Sequence, residues 1–261
     1  MDLNLDGKTI LVAGASSGMG LAIARQCAAE GANVSLAARR EQELKDHCAD
    51  ITKEFSVKTH YAVMDACNGN DIKNWIQSAE AKLKRIDGLL VNAGGPPMGG
   101  IEDFSEENWQ NAFDLTLMST IRMINAALPA LKQSKGSILT LTSSSVKEPI
   151  DVLLLSNVMR AGVASLVKSL ASQFAPYRIR VNNIIPGLIA TDRIDALDST
   201  LSQKKGVSIE DHRQAVWQNI PAGRYGKPEE FARVATFLLS DAASYINGTN
   251  TVVDGGKMKS L

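Results

Sequence analysis

The sequence predicts an α/β domain built on a doubly wound parallel sheet of about seven strands, with helices covering both faces. Three observations carry that expectation. Short β-branched or apolar runs alternate with longer amphipathic stretches along the chain. A glycine-rich turn follows the first run directly, where a strand would enter a helix. The last strand-like run, 251–253, lies so near residue 261 that nothing remains for a second domain, so 1–261 is read as one unit.

The strand-like runs are 9–12, 33–37, 59–64, 88–91, 137–141, 179–184 and 251–253. Helices are expected to begin near Met19, Glu41, Asn70, Glu106, Val152 and Pro228. Pro228 suits a first helical turn, where its missing N–H breaks no hydrogen bond. Between the sixth strand and Pro228, the stretch 188–221 is long and polar and is expected to be a loop shaping a substrate cleft. After the fourth strand, Gly94-Gly95-Pro96-Pro97-Met98-Gly99-Gly100 reads as a stiff rim, with structural and substrate-contacting roles equally open.

The turn Ala13-Gly14-Ala15-Ser16-Ser17-Gly18-Met19-Gly20 opens the first helix. Glycines there let backbone approach a pyrophosphate, and the helix N-terminus supplies free N–H groups and partial positive charge. A rival reading uses the same residues, since Gly14-Ala15-Ser16-Ser17-Gly18 also fits the Gly-x-Ser-x-Gly elbow of a hydrolase. Only thirteen residues precede Gly14, too few for the earlier strands a hydrolase needs, and no Asp and His follow at obvious strand ends. Roughly twenty residues beyond Gly18, where an NAD site places an acid on the ribose, stand Arg39 and Arg40. Their planar forks suit a 2′-phosphate and favour NADP(H), against the plainer reading of two solvated arginines at a helix start.

Composition narrows the partners. Apolar residues make up 44% and charged residues 21%, and 28 Lys and Arg balance 28 Asp and Glu. Without a basic run there is no footprint for nucleic acid or an anionic membrane surface. The acidic start Met1 to Asp6 and the lack of a long uncharged stretch point to a cytoplasmic protein acting on a small molecule. Cys27, Cys48 and Cys67 show no Cys-x-x-Cys spacing and are read as reduced thiols. His47, His60 and His212 offer no metal-ligand spacing, so no metal site is expected.

In order and spacing these features resemble the short-chain dehydrogenase/reductase family over nearly the whole chain. Asp65-Ala66 is similar to its adenine-contacting pair, and Asn92-Ala93-Gly94 to the motif that steadies the sheet and approaches the cofactor. Pro186-Gly187 with Ile189 and Thr191 is similar to the segment holding the nicotinamide amide. Gly223-Arg224-Tyr225-Gly226-Lys227-Pro228-Glu229-Glu230, Gly248 and Asp254-Gly255-Gly256 match its tail. The resemblance implies a Rossmann-like sheet with NADP(H) across the carboxyl ends of its strands, in a homo-oligomer, dimer or tetramer.

The same resemblance marks a departure. The family uses a Tyr to move the proton, a Lys to lower the Tyr pKa and hold the ribose, a Ser to orient the carbonyl, and an Asn to continue the relay. Those positions fall on Ser156, Arg160, Ser143 and Thr116, so Ser-x-x-x-Arg replaces Tyr-x-x-x-Lys and only the Ser is retained. Four residues apart on a helix, Ser156 and Arg160 share a face and are expected to point together at the nicotinamide ribose. A serine hydroxyl is a far weaker acid than a phenol of pKa about 10, and an arginine cannot shuttle a proton near neutrality.

Three readings follow. In the first, carbonyl and alcohol are still interconverted, with Ser143 and Ser156 orienting the carbonyl, Arg160 meeting negative charge, and the proton coming from water or a nearby group such as Lys147, which otherwise is a solvated loop lysine. In the second, the chain is a catalytically silent NADP(H)-binding sensor or assembly partner. In the third, the cofactor site serves a different reaction, such as elimination or isomerisation. Arg193 is a candidate contact for an anionic substrate, weighed against an ordinary surface arginine.

Overall fold

In the computed structural model, residues 1–260 are described, and they form one seven-stranded sheet with all neighbours parallel. The strands are β1 (Thr9–Ala13), β2 (Asn33–Ala38), β3 (Thr59–Val63), β4 (Gly88–Val91), β5 (Ser137–Leu141), β6 (Arg180–Pro186) and β7 (Asn250–Val253), in the order β3-β2-β1-β4-β5-β6-β7. The order reverses between β1 and β4, which opens a crevice outside their carboxyl ends, where open sheets of this kind bind ligands.

The helices are α1 (Gly18–Ala29), α2 (Glu41–Phe55), α3 (Gly69–Leu83), α4 (Glu106–Ala112), α5 (Ser119–Ser134), α6 (Leu154–Gln173), α7 (Asp192–Lys205), α8 (Ile209–Trp217) and α9 (Pro228–Leu239). Alternate residues of β1 face opposite layers: Ile10 and Val12 pack with α1, α2 and α9, while Leu11 and Ala13 pack with α3, α5 and α6. Burial on both faces explains why the strands read as continuous apolar runs. Trp75 of α3 is fully buried and donates its indole N–H to Ser35 Oγ of β2 at 2.9 Å, so removing its ring would cost about 3–5 kcal/mol.

Two features depart from the sequence expectation. The stretch 188–221, expected as a loop, is mostly α7 and α8. Its caps explain the helices: Asp192 and Asp195 sit in the first turn of α7, Lys204 and Lys205 in the last, and Gly206 closes it at φ +67°. Ser208 caps α8 by accepting from Asp211 N at 3.0 Å. The helix expected to begin near Glu106 is followed at Phe113–Met118 by a π-helical segment, between α4 and α5. Such bulges concentrate at functional sites, and Thr116 lies within this one.

Candidate functional site: a nucleotide cradle ending at a buried guanidinium

The N-terminus of α1 has no protein partner of its own. Its N-cap Ser17 is extended at φ −165°, makes no side-chain cap bond, and no acid stands in the first turn. By contrast Asn68, Ser105 and Ser208 cap α3, α4 and α8 with side-chain oxygens. The free N–H groups of α1 are therefore available to an external anion. Gly14, at φ +64°, lies so close to β4 that a Cβ there would stand 2.6 Å from Asn92 Nδ2, and a Cβ on Gly20 would collide with the Gly14 carbonyl. Gly94 has nothing within 4 Å of its Cβ position, so the surface over Ala93-Gly94 is clear. Met19 is half-buried and packs on the core beneath the turn.

Arg40 donates to Ser16 Oγ at 3.0 Å and Ser17 Oγ at 2.9 Å, and pairs with Glu43 at 2.7 Å. Arg39 is exposed and has no hydrogen bond or ion pair among the described residues. This arrangement removes the hydrolase reading, because Ser16 Oγ faces a guanidinium and not a base, while His47 Nε2 meets only the Ser16 backbone carbonyl at 3.0 Å. Asp65 folds into the turn after β3, accepting from Cys67 N at 2.9 Å, with half-buried Ala66 beside it. Pro186 ends β6, and Gly187 permits the close pass of Asp254, whose Cα would be 2.5 Å from a Cβ there. Leu188 O accepts from Gly226 N and Ala190 N donates to Gly226 O, which turns the Ile189 amide and carbonyl to the opposite edge. Thr191 Cγ2 lies 3.4 Å from the Cβ position of Gly18, so this segment returns to the glycine turn.

The second half of the site lies at the carboxyl end of β5. Ser143 caps the turn Ser144–Val146 by accepting from Ser145 N at 3.2 Å, which leaves its own proton free to donate. Lys147 follows that turn, half-buried. On α6, Ser156 and Arg160 do share a face, but it is buried: they are 6% and 8% exposed. The Ser156 hydroxyl has no hydrogen-bond partner among the described residues. Arg160 donates to the Leu141 carbonyl at 3.1 Å and has no carboxylate partner. Burial first, and then the nearby charge of Arg193, push its pKa down to about 10, so it remains a cation at neutral pH.

Arg160 and Thr116 line one small cavity of about 10 Å³ with Ala93, Gly94 and Thr142, space for a single water. The Thr116 hydroxyl is buried without a partner, and its carbonyl is taken by Thr120 Oγ1 at 2.8 Å. An arginine held in this way is costly, since a buried charge lacking a counter-ion is compensated only by its single hydrogen bond. Strain of that kind points to a group that arrives from outside.

Beside the cleft, α7 and α8 are joined by a buried ionic cluster that the sequence did not disclose. Asp198, 3% exposed, accepts from Tyr225 Oη at 3.0 Å and Arg213 Nε at 3.0 Å. Burial, and then Asp198, raise the Tyr225 pKa well above the ordinary phenol range. The members come from three separate segments, so no local pattern joins them. Trp217, on α8, packs edge-on against Tyr225 with ring centroids 5.8 Å apart.

Residues 14–257 match the family model described as enoyl-(acyl carrier protein) reductase. The NADP-dependent mannitol dehydrogenase of Hypocrea jecorina is 31% identical over 97% of this chain and 93% of its own. The L-sorbose reductase of Gluconobacter frateurii, solved with NADPH and L-sorbose, superimposes with a TM-score of 0.96 at 30% identity, covering all of both chains. An NADPH-bound short chain oxidoreductase from Pseudomonas aeruginosa PAO1, described as containing an atypical catalytic center, gives 0.88 at 28% identity over 97% of this chain and 98% of that one. With a similarity that runs through sheet, glycine turn and tail alike, the chain belongs to the short-chain dehydrogenase/reductase family.

Proposed function

We propose that this protein is an NADP(H)-dependent oxidoreductase that interconverts a carbonyl and an alcohol without a phenolic acid. The observation that carries the reading is the buried, acid-free guanidinium of Arg160 beside the end of β5, opposite the clear surface of Ala93-Gly94. A stably folded chain gains nothing from a charge placed there, whereas a reaction that develops negative charge on oxygen does.

The cradle fits a phosphorylated dinucleotide. The turn Gly14 to Gly20 and the α1 N-terminus would hold the pyrophosphate, Arg39 and Arg40 the 2′-phosphate, Asp65 and Ala66 the adenine, and Asn92, Ala93 and Gly94 the inner nucleotide. Pro186 and Gly187 position Ile189 and Thr191, with the outward Ile189 amide and carbonyl placed to exchange hydrogen bonds with a carboxamide. When bound, the nicotinamide supplies or accepts a hydride.

The chain's own residues do the rest. Ser143, with its proton free, and Ser156, with no internal partner, orient the carbonyl oxygen. Arg160 holds the ribose and lowers the energy of the oxyanion, while Thr116 keeps a water in the cavity behind it. In the reducing direction the oxyanion then takes a proton from water or from the Lys147 ammonium, which recovers its proton from solvent. The relatives solved with NADPH and the NADP-dependent mannitol dehydrogenase support the coenzyme assignment.

The test is a fluorescence titration with NADPH and NADH, then loss of NADPH absorbance against a panel of ketones and aldehydes. Micromolar NADPH binding with turnover of one panel member is expected. The double variant Ser156→Tyr with Arg160→Lys is expected to gain turnover, since it returns a phenol and its lysine to a cleft of the same shape. Binding of NADPH with no turnover in either form favours the silent sensor, and absence of binding removes the assignment.

A further inference from the structure

Arg193 stands in the first turn of α7 and reaches across the cleft mouth to the rim loop after β4. Its terminal nitrogens lie 2.8 and 3.1 Å from the Cβ position of Gly95, so glycine at 95 leaves the guanidinium room to rest against backbone. It forms no hydrogen bond or ion pair among the described residues. Asp195, two residues on and so turned to the other side of the helix, is already paired with Arg213 at 2.5 Å. A cation in the first turn of a helix also faces the unfavourable end of the helix dipole. Neither local pairing nor helix stability accounts for its position.

Arg160, likewise without a carboxylate, lines the cavity with Gly94, the residue next to Gly95, and the charge of Arg193 opposes its own. Two guanidiniums that converge on one cleft form a site for an anion. The coenzyme pyrophosphate has its own place at the uncapped α1 N-terminus, and the nicotinamide ribose is neutral. The anion is therefore left to the substrate.

Resting on the proposed carbonyl chemistry, we propose that Arg193 recognises a carboxylate on the substrate, making the preferred class an oxo acid or the corresponding hydroxy acid, with Arg160 on the reacting oxygen. The planar fork of Arg193 offers two parallel N–H donors to a carboxylate, a geometry that a lysine cannot reproduce.

The experiment measures binding by calorimetry to the full-length protein, free and saturated with NADPH. Pyruvate and levulinate are compared with their methyl esters, which keep the ketone and remove the charge. The acids are expected to bind about tenfold or more tightly than the esters, a ratio that a charge-assisted hydrogen bond supplies. Arg193→Ala should abolish that ratio and Arg193→Lys restore part of it, with NADPH affinity unchanged in both. Arg193 is exposed, so neither variant threatens the fold. Equal binding of acid and ester in the wild type overturns the inference. So does a loss of NADPH affinity in Arg193→Ala with the acid preference intact, which would make Arg193 a coenzyme contact. Failure of NADPH to bind the wild type removes the coenzyme reading alone, because the acid-to-ester ratio is also read on the free protein.

Discussion

Replacing Arg160 with methionine should make the nucleotide-free protein more stable and less active. In the folded chain, burial and then Arg193 lower the guanidinium pKa from its ordinary value to about 10. At about 1.4 kcal/mol per pH unit, that interval is worth about 3 kcal/mol against the charged form. Because the folded pKa lies below the unfolded value, the penalty is present in full below about 10 and is relieved as pH rises above it toward the ordinary guanidinium value. Methionine fills much of the same volume without charge. It also leaves the Leu141 carbonyl without the bond it accepts at 3.1 Å, a loss of about 1 kcal/mol. The net gain of about 1–2 kcal/mol corresponds to a rise of about 2–8 °C in Tm for a domain of this size. Scanning calorimetry at neutral pH without nucleotide measures it, and kcat should fall about 100-fold or more in the same variant, as when an oxyanion donor is removed. A methionine variant that melts below the wild type would refute the claim that this charge is held at a cost.

Three further outcomes are expected. Arg39→Ala should reduce the preference for NADPH over NADH about tenfold or more, read as the ratio of kcat/KM values; an unchanged ratio removes Arg39 from the 2′-phosphate site. Burial raises the Cys27 thiol to about 12 and the Cys48 thiol to about 11, whereas Cys67 is exposed; a thiol reagent at pH 8 should label Cys67 alone in the native protein, and mass spectrometry of the labelled peptides decides it. The Arg224 guanidinium, and then the Lys227 amide, hold the Glu230 carboxyl down to about 2. Stability from that pair is present above 4.5 and fades as pH falls toward 2, so Glu230→Gln should flatten the acid limb of a Tm-against-pH curve.

Most of the sheet was legible because its signals are local. The apolar runs, the glycine turn and Pro228 each act within a few residues, and β4 and β5 fall where those runs do. What escaped was set by distant partners. The α7 segment carries too few apolar residues to show a stripe, and only its end charges and Gly206 hinted at a helix. Its hold on α8 comes through Asp198, Arg213 and Tyr225, which are scattered along the chain. At the site, the sequence named Arg160 and Ser156 and the face they share, but not that the face is buried, since burial depends on the π segment and β5 closing over it. Arg193 was visible only as a loop arginine; its reach to Gly95 is a property of three dimensions.

The π-helical segment carries one residue more than an even winding would need. That surplus makes the site vulnerable to a shortening of the gene in a way that the scaffold is not. Loss of a single codon between Phe113 and Met118 would let α4 run smoothly into α5 with both flanks still in phase, preserving the fold while carrying the Thr116 hydroxyl away from Arg160. Here an in-frame deletion, ordinarily the harsher lesion, would be borne by the architecture and felt by the chemistry.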